Sequence, residues 1–111
     1  MRLSQAQIEV LRRTAARRFG TGAGLWLFGS RLRDDLRGGD VDLYVESPDV
    51  DADRLITSRL GFLADLHDTP EFEGERIDVV IKSPLHREEL AIHRIARAEG
   101  IRLWDSEWVS E

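Results

Sequence analysis

Two hydrophobic periods run along this chain. From Ser4 to Phe19 the period is helical, with Ile8, Leu11, Ala15 and Phe19 recurring every three or four residues. Ser4 and Gln7 form a capping-box pair, and Gly20 supplies a stop. Leu25–Phe28 is a continuous apolar run, as a central strand requires. Ser30–Leu36 reads as a short helix and Arg37-Gly38-Gly39 as a tight turn. From Asp40 to Val45 the period drops to two. Val41, Leu43 and Val45 take one face, and Asp40, Asp42 and Tyr44 take the other. Asp51 caps a helix over about Ala52–His67, with Leu55, Ile56, Leu60, Leu63 and Leu66 as its apolar stripe. Asp68–Glu75 reads as a polar loop. In a third strand Ile77, Val79 and Ile81 share one face, and Asp78, Val80 and Lys82 share the other. Ser83-Pro84 marks the start of a last helix running to about Glu99, because proline suits the first helical position. Gly100 stops it, and Ile101–Trp104 adds a short edge strand.

These elements predict an α+β fold. The first two strands are joined by about eleven residues, so the sheet is expected to be small and mixed, with helices packed mainly on one face. A length of 111 residues suits one compact domain over residues 1–111. It leaves no room for a separate substrate domain, so a second surface is expected from another chain. There is no Cys, hence neither a disulfide framework nor a thiolate metal site. No apolar run approaches the roughly 20 residues of a membrane span, and the first ten residues lack the apolar stretch of a secretory signal. A cytoplasmic location is the default expectation. The net charge of −5 argues against a general nucleic-acid coat.

The chemistry sits where acids interrupt apolar strands. Asp40 and Asp42 leave one face of their strand, and Asp78 alternates against Ile77 and Val79. If these strands are neighbours, three carboxylates converge and repel unless a cation lies between them. A set of oxygen donors alone favours Mg²⁺, or Mn²⁺, over zinc, and Mg²⁺ completes its shell with substrate phosphate oxygens. Gly29-Ser30 ends the preceding apolar run in a turn where main chain can approach a phosphate. Ser30 Oγ is placed to bond a terminal phosphate oxygen, and Arg31 or Arg33 to neutralise more of its charge. Gly-Ser alone is an ordinary turn, and Asp-x-Asp alone is a solvated strand. Their order, spacing and shared face point to a metal-bound nucleoside triphosphate. His67, His86 and His93 show no metal-ligand spacing; His86 and His93, two helical turns apart, are too distant to share an ion. Trp26, Trp104 and Trp108 read as core and interface anchors.

The run GSRLRDDLRGGDVDLYV followed by RIDVVI resembles the minimal nucleotidyltransferase (MNT) family of the DNA polymerase β superfamily. The resemblance covers Leu25 to Ile81 and implies a nucleotidyltransferase, polymerase β palm-like fold. It implies that Gly29 and Ser30 hold the triphosphate and that Asp40 and Asp42 bind two metal ions, with Asp78 joining the one that activates the attacking hydroxyl. Small members of the family resemble the antitoxin of HEPN/MNT toxin–antitoxin pairs. The expected reaction is then transfer of AMP from ATP to a hydroxyl, often a tyrosine, of a HEPN ribonuclease partner. Two alternatives stand beside it: neutralisation by contact alone, and transfer to a small-molecule alcohol. Homo-oligomerisation through the C-terminal segment is left open. Two departures from the family pattern are Gly39, where relatives carry Ser or Thr, and a short nine-residue spacer before Asp40.

Overall fold

The computed structural model describes residues 1–35, 39–86 and 88–107. The chain runs α1 (Gln5–Phe19), β1 (Gly24–Phe28), a 3₁₀ turn (Gly29–Leu32), β2 (Val41–Glu46) and α2 (Ala52–His67). A second 3₁₀ turn (Pro70–Phe72), β3 (Ile77–Lys82), α3 (Ala91–Glu99) and β4 (Ile101–Asp105) complete it. The four strands form one mixed sheet in the order β3-β2-β1-β4. β1 is antiparallel to both β2 and β4, and β2 is parallel to β3.

Strand alternation sorts the two faces. Leu25, Leu27, Val41, Leu43, Val45 and Val79 join Leu11, Ala15, Phe62 and Leu66 in the main core, beneath α1 and α2. The reciprocal Ser4–Gln7 bonds, 3.1 and 2.9 Å, cap α1 as its sequence predicts. Trp26, Phe28 and Tyr44 point the other way and pack with Ala96 of α3. Two helices therefore share one face, and α3 alone lies on the other. No described helix is long and apolar enough to cross a membrane.

Four local expectations change. The last helix begins at Ala91, not at Pro84. Residues 83–86 form a turn of their own: the His86 amide donates to the Ser83 carbonyl, the Ser83 amide to His86 Nδ1, and the Leu85 amide to Ser83 Oγ. Those bonds absorb the donors that a helix start would leave open. In α2 the buried stripe is Leu55, Phe62 and Leu66, whereas Ile56 and Leu60 are 57% and 62% exposed. The loop at 68–75 carries Phe72 fully into the core. The helix expected over Ser30–Leu36 is a single 3₁₀ turn ending at Leu32. Leu36, Arg37, Gly38 and Trp108 lie outside the described residues.

Candidate functional site

The end of β1, the start of β2 and the start of β3 meet on the face that α3 covers only in part. In the ladder Asp42 stands opposite Phe28 on one side and Asp78 on the other. Directly paired residues share a face, so the two carboxylates are neighbours across strands about 4.8 Å apart. Asp40 immediately precedes β2 on the same side. Burial pushes the Asp42 carboxyl above its ordinary range, and the negative charges of Asp78 and then Asp40 push it further. Sequence alternation placed Asp42 and Asp78 on like faces of their strands, and the ladder sets the two side by side. Among the described residues, no three acidic or histidine side chains are already drawn into a metal-holding group.

The Gly-Ser turn closes over Asp42. Gly29 has φ +79°, and a β-carbon there would collide with the Asp42 carboxylate. Only glycine lets the main chain pass this closely. Gly39, at φ +88°, plays the matching part on the returning arm: a β-carbon would lie 2.5 Å from Ser30 Oγ. The two ends of the 29–39 excursion thus touch at Ser30, beside the three acids. The Ser or Thr that the resemblance expects at 39 would be strained at this φ and would push Ser30 Oγ aside.

Arg31 does not face this opening. Its guanidinium is nearly buried and donates to the Arg2 carbonyl at 3.1 Å, the Gly39 carbonyl at 3.3 Å and Glu75 Oε2 at 2.5 Å. Three of its five N–H donors are taken and Glu75 pairs its charge, so Arg31 braces the excursion from behind. Arg33 is exposed and bound to Asp35. Lys82 lies four residues along β3 from Asp78 and pairs with Glu89. Arg2 and Glu75, which sequence reasoning passed over, carry no local signal, because each meets the excursion only through the tertiary fold.

The histidines also shift. With α3 starting late, the His86 and His93 rings come into edge contact, their centroids 5.5 Å apart. The helical spacing expected to separate them does not exist. Each Nδ1 accepts a main-chain amide, from Ser83 and Leu90 respectively. Burial lowers the pKa of His93, with the neighbouring His86 and Lys82 charges adding to it. Both rings serve the local backbone.

Residues 8–103 match the family model of the nucleotidyltransferase domain. The chain belongs to this nucleotidyltransferase domain family. Its four-stranded mixed sheet with three helices is consistent with the polymerase β-like nucleotidyltransferase fold, and the match spans every element from α1 into β4. No curated protein matches the chain. Nucleotidyltransferase domains act on nucleotide substrates and generally use divalent metal ions. The donor set here fits such an ion: carboxylate oxygens only, on one face, with mutual repulsion that a cation relieves.

Proposed function

We propose that this nucleotidyltransferase domain transfers AMP from ATP to a hydroxyl on a partner protein, a HEPN-domain toxin, and so acts as its antitoxin. The observation that carries the reaction class is the pairing of Asp42 with Asp78 beside Asp40, directly under the Gly29-Ser30 turn. The protein acceptor is inferred from the resemblance of the chain to MNT antitoxins.

In this reading Asp40, Asp42 and Asp78 hold two Mg²⁺ ions, or Mn²⁺. Held there, the ions would supply Lewis acidity, which favours deprotonation of the acceptor hydroxyl and offsets the charge of pyrophosphate. The chain's own groups do the rest. Gly29 lets the triphosphate approach the main chain, and Ser30 Oγ donates to a terminal phosphate oxygen. Asp78, the most exposed of the three acids, accepts the proton of the attacking hydroxyl. The acceptor oxygen forms a bond to the α-phosphorus, the bond from that phosphorus to the bridging oxygen breaks, and pyrophosphate leaves. The acceptor hydroxyl is assigned to a tyrosine side chain.

The test is to incubate the protein with Mg²⁺, α-labelled ATP and the HEPN product of a neighbouring gene, alongside an Asp40→Ala/Asp42→Ala double variant. Label should appear on the partner with the wild type and vanish with the variant. Absence of label, with toxin neutralisation intact in the variant, points instead to neutralisation by contact. Label on a small alcohol but not on the partner points to the small-molecule reaction.

A further inference from the structure

We propose that Arg2 is a positioning residue for the Gly29-Ser30 turn. It ties down the carbonyl side of the excursion and leaves a guanidinium charge directly behind Ser30. The inference rests on the nucleotide reading of that turn. Arg2 precedes α1 and lies outside the stretch matched by the family model, so the family assignment carries nothing about it.

Arg2 grips the excursion at three points. Its main-chain N–H donates to the Arg31 carbonyl at 2.7 Å, Nε to the Arg33 carbonyl at 2.6 Å, and Nη2 to the Ser30 carbonyl at 2.9 Å. Arg31 returns the grip through Nη1 to the Arg2 carbonyl. Each arginine therefore holds the other's main chain, and the two guanidiniums together take the carbonyls of Ser30, Arg33, Gly39 and Arg2. The Arg2 guanidinium also lies 3.8 Å from where a β-carbon of Gly39 would sit, so it reaches the place where the two arms touch. A planar fork with fixed donors can bridge two carbonyls that a lysine ammonium cannot hold together.

The charges of the two arginines differ in kind. Glu75 compensates Arg31 at 2.5 Å. Arg2 spends its side-chain donors on neutral carbonyls, and among the described residues no carboxylate forms an ion pair with it. Nearby Asp35 feels this charge and offsets part of it, but a guanidinium not locked in an ion pair behind Ser30 still raises the local potential for an anionic ligand. In a chain of net charge −5 that local sign matters. Arg2 would then act on nucleotide affinity through both the placement of Ser30 and a salt-sensitive field.

The test compares Mg·ATP binding to the whole chain for wild type, Arg2→Lys and Arg2→Met at low and high salt, with thermal melting of each. Arg2→Met should weaken binding about tenfold, because it removes two charge-assisted bonds at the turn, and should flatten the salt dependence. Arg2→Lys should keep the salt dependence but recover only part of the affinity. In turnover assays the loss should fall on KM for ATP, with kcat changed less than threefold. A merely structural role would lower the melting temperature without changing the salt slope. Wild-type affinity and slope in Arg2→Met would overturn the proposal. If Arg2→Met fails to fold, Arg2→Lys still separates fork from charge, and wild-type affinity in it removes the fork. A folded wild type that binds no Mg·ATP overturns the nucleotide reading itself, a distinct result.

Discussion

At the scale of single residues, the site is built from groups held against their ordinary preference. Asp42 is a half-buried carboxylate in a sheet beside two others, and its raised pKa records what the fold loses by keeping it charged. A group whose folded pKa lies above its unfolded value destabilises the native state once it ionises, and that loss disappears as pH falls below the carboxylate range. Asp42→Asn should therefore raise the melting temperature by a few degrees near neutral pH while lowering transfer activity at least a hundredfold. The gain in stability should shrink on acidification; calorimetric scans between about pH 4 and 7 read it directly. Gly39 shows the same economy of space. The resemblance makes a hydroxyl at this position attractive, yet φ +88° and the nearness of Ser30 Oγ argue the reverse. Gly39→Ser should destabilise the fold by about 1–2 kcal/mol, seen as a shift in the denaturant midpoint, and should weaken Mg·ATP binding.

At the scale of elements, α1 and α2 are joined by one acid between two arginines. Asp65 receives Arg18 Nε at 2.7 Å and Arg17 Nη2 at 3.0 Å, while the Phe19 and Phe62 rings pack with centroids 5.2 Å apart. The two guanidiniums, Arg18 foremost, hold the Asp65 carboxyl down at about 2. Its stabilisation is therefore complete above the unfolded value of about 4 and lost as pH falls towards 2. Asp65→Asn should melt a few degrees lower than wild type at pH 7, and the two melting curves should converge between pH 4 and pH 2. Legibility differed among elements for identifiable reasons. The strand faces could be read because a period of two leaves no freedom once one face is apolar. In α2 two apolar stripes compete, and only the docking of the helix on the sheet selects Phe62 over Ile56 and Leu60. At Ser83-Pro84 a valid cap signature lost to a turn closed by His86, a residue three positions on that no capping rule weighs. Arg31 directly follows the Gly29-Ser30 turn in the chain, but its partners Arg2 and Glu75 are remote in sequence. Its direction was invisible until the fold was known.

At the scale of the molecule, three acids from two strands and two arms of one excursion meet at one end of the sheet. α3 covers the middle of that face, and α1 and α2 support the other. The faces of Asp42 and Asp78 were legible because side-chain alternation is a local rule; the strand pairing that sets them level, and the Arg2–Arg31–Glu75 brace behind them, are not local, and the brace was missed. The ladder has a further consequence for the tolerance of the chain to insertion. Asp78 is held level with Asp42 by hydrogen bonds between β2 and β3, not by the length of the connector that joins them. Gly74 in that connector is exposed, with open space around it. The stretch from Ser30 to Arg33 has less slack, since Arg2 holds the carbonyls at both of its ends. Two extra residues after Gly74 should leave Mg·ATP binding within about threefold of wild type, whereas the same two after Arg31, between the held carbonyls of Ser30 and Arg33, should weaken it at least tenfold. Gly74 would then be a point where the connector tolerates added length, between Phe72 in the core and Glu75 in the brace, and the Ser30–Arg33 turn a point where added length is costly.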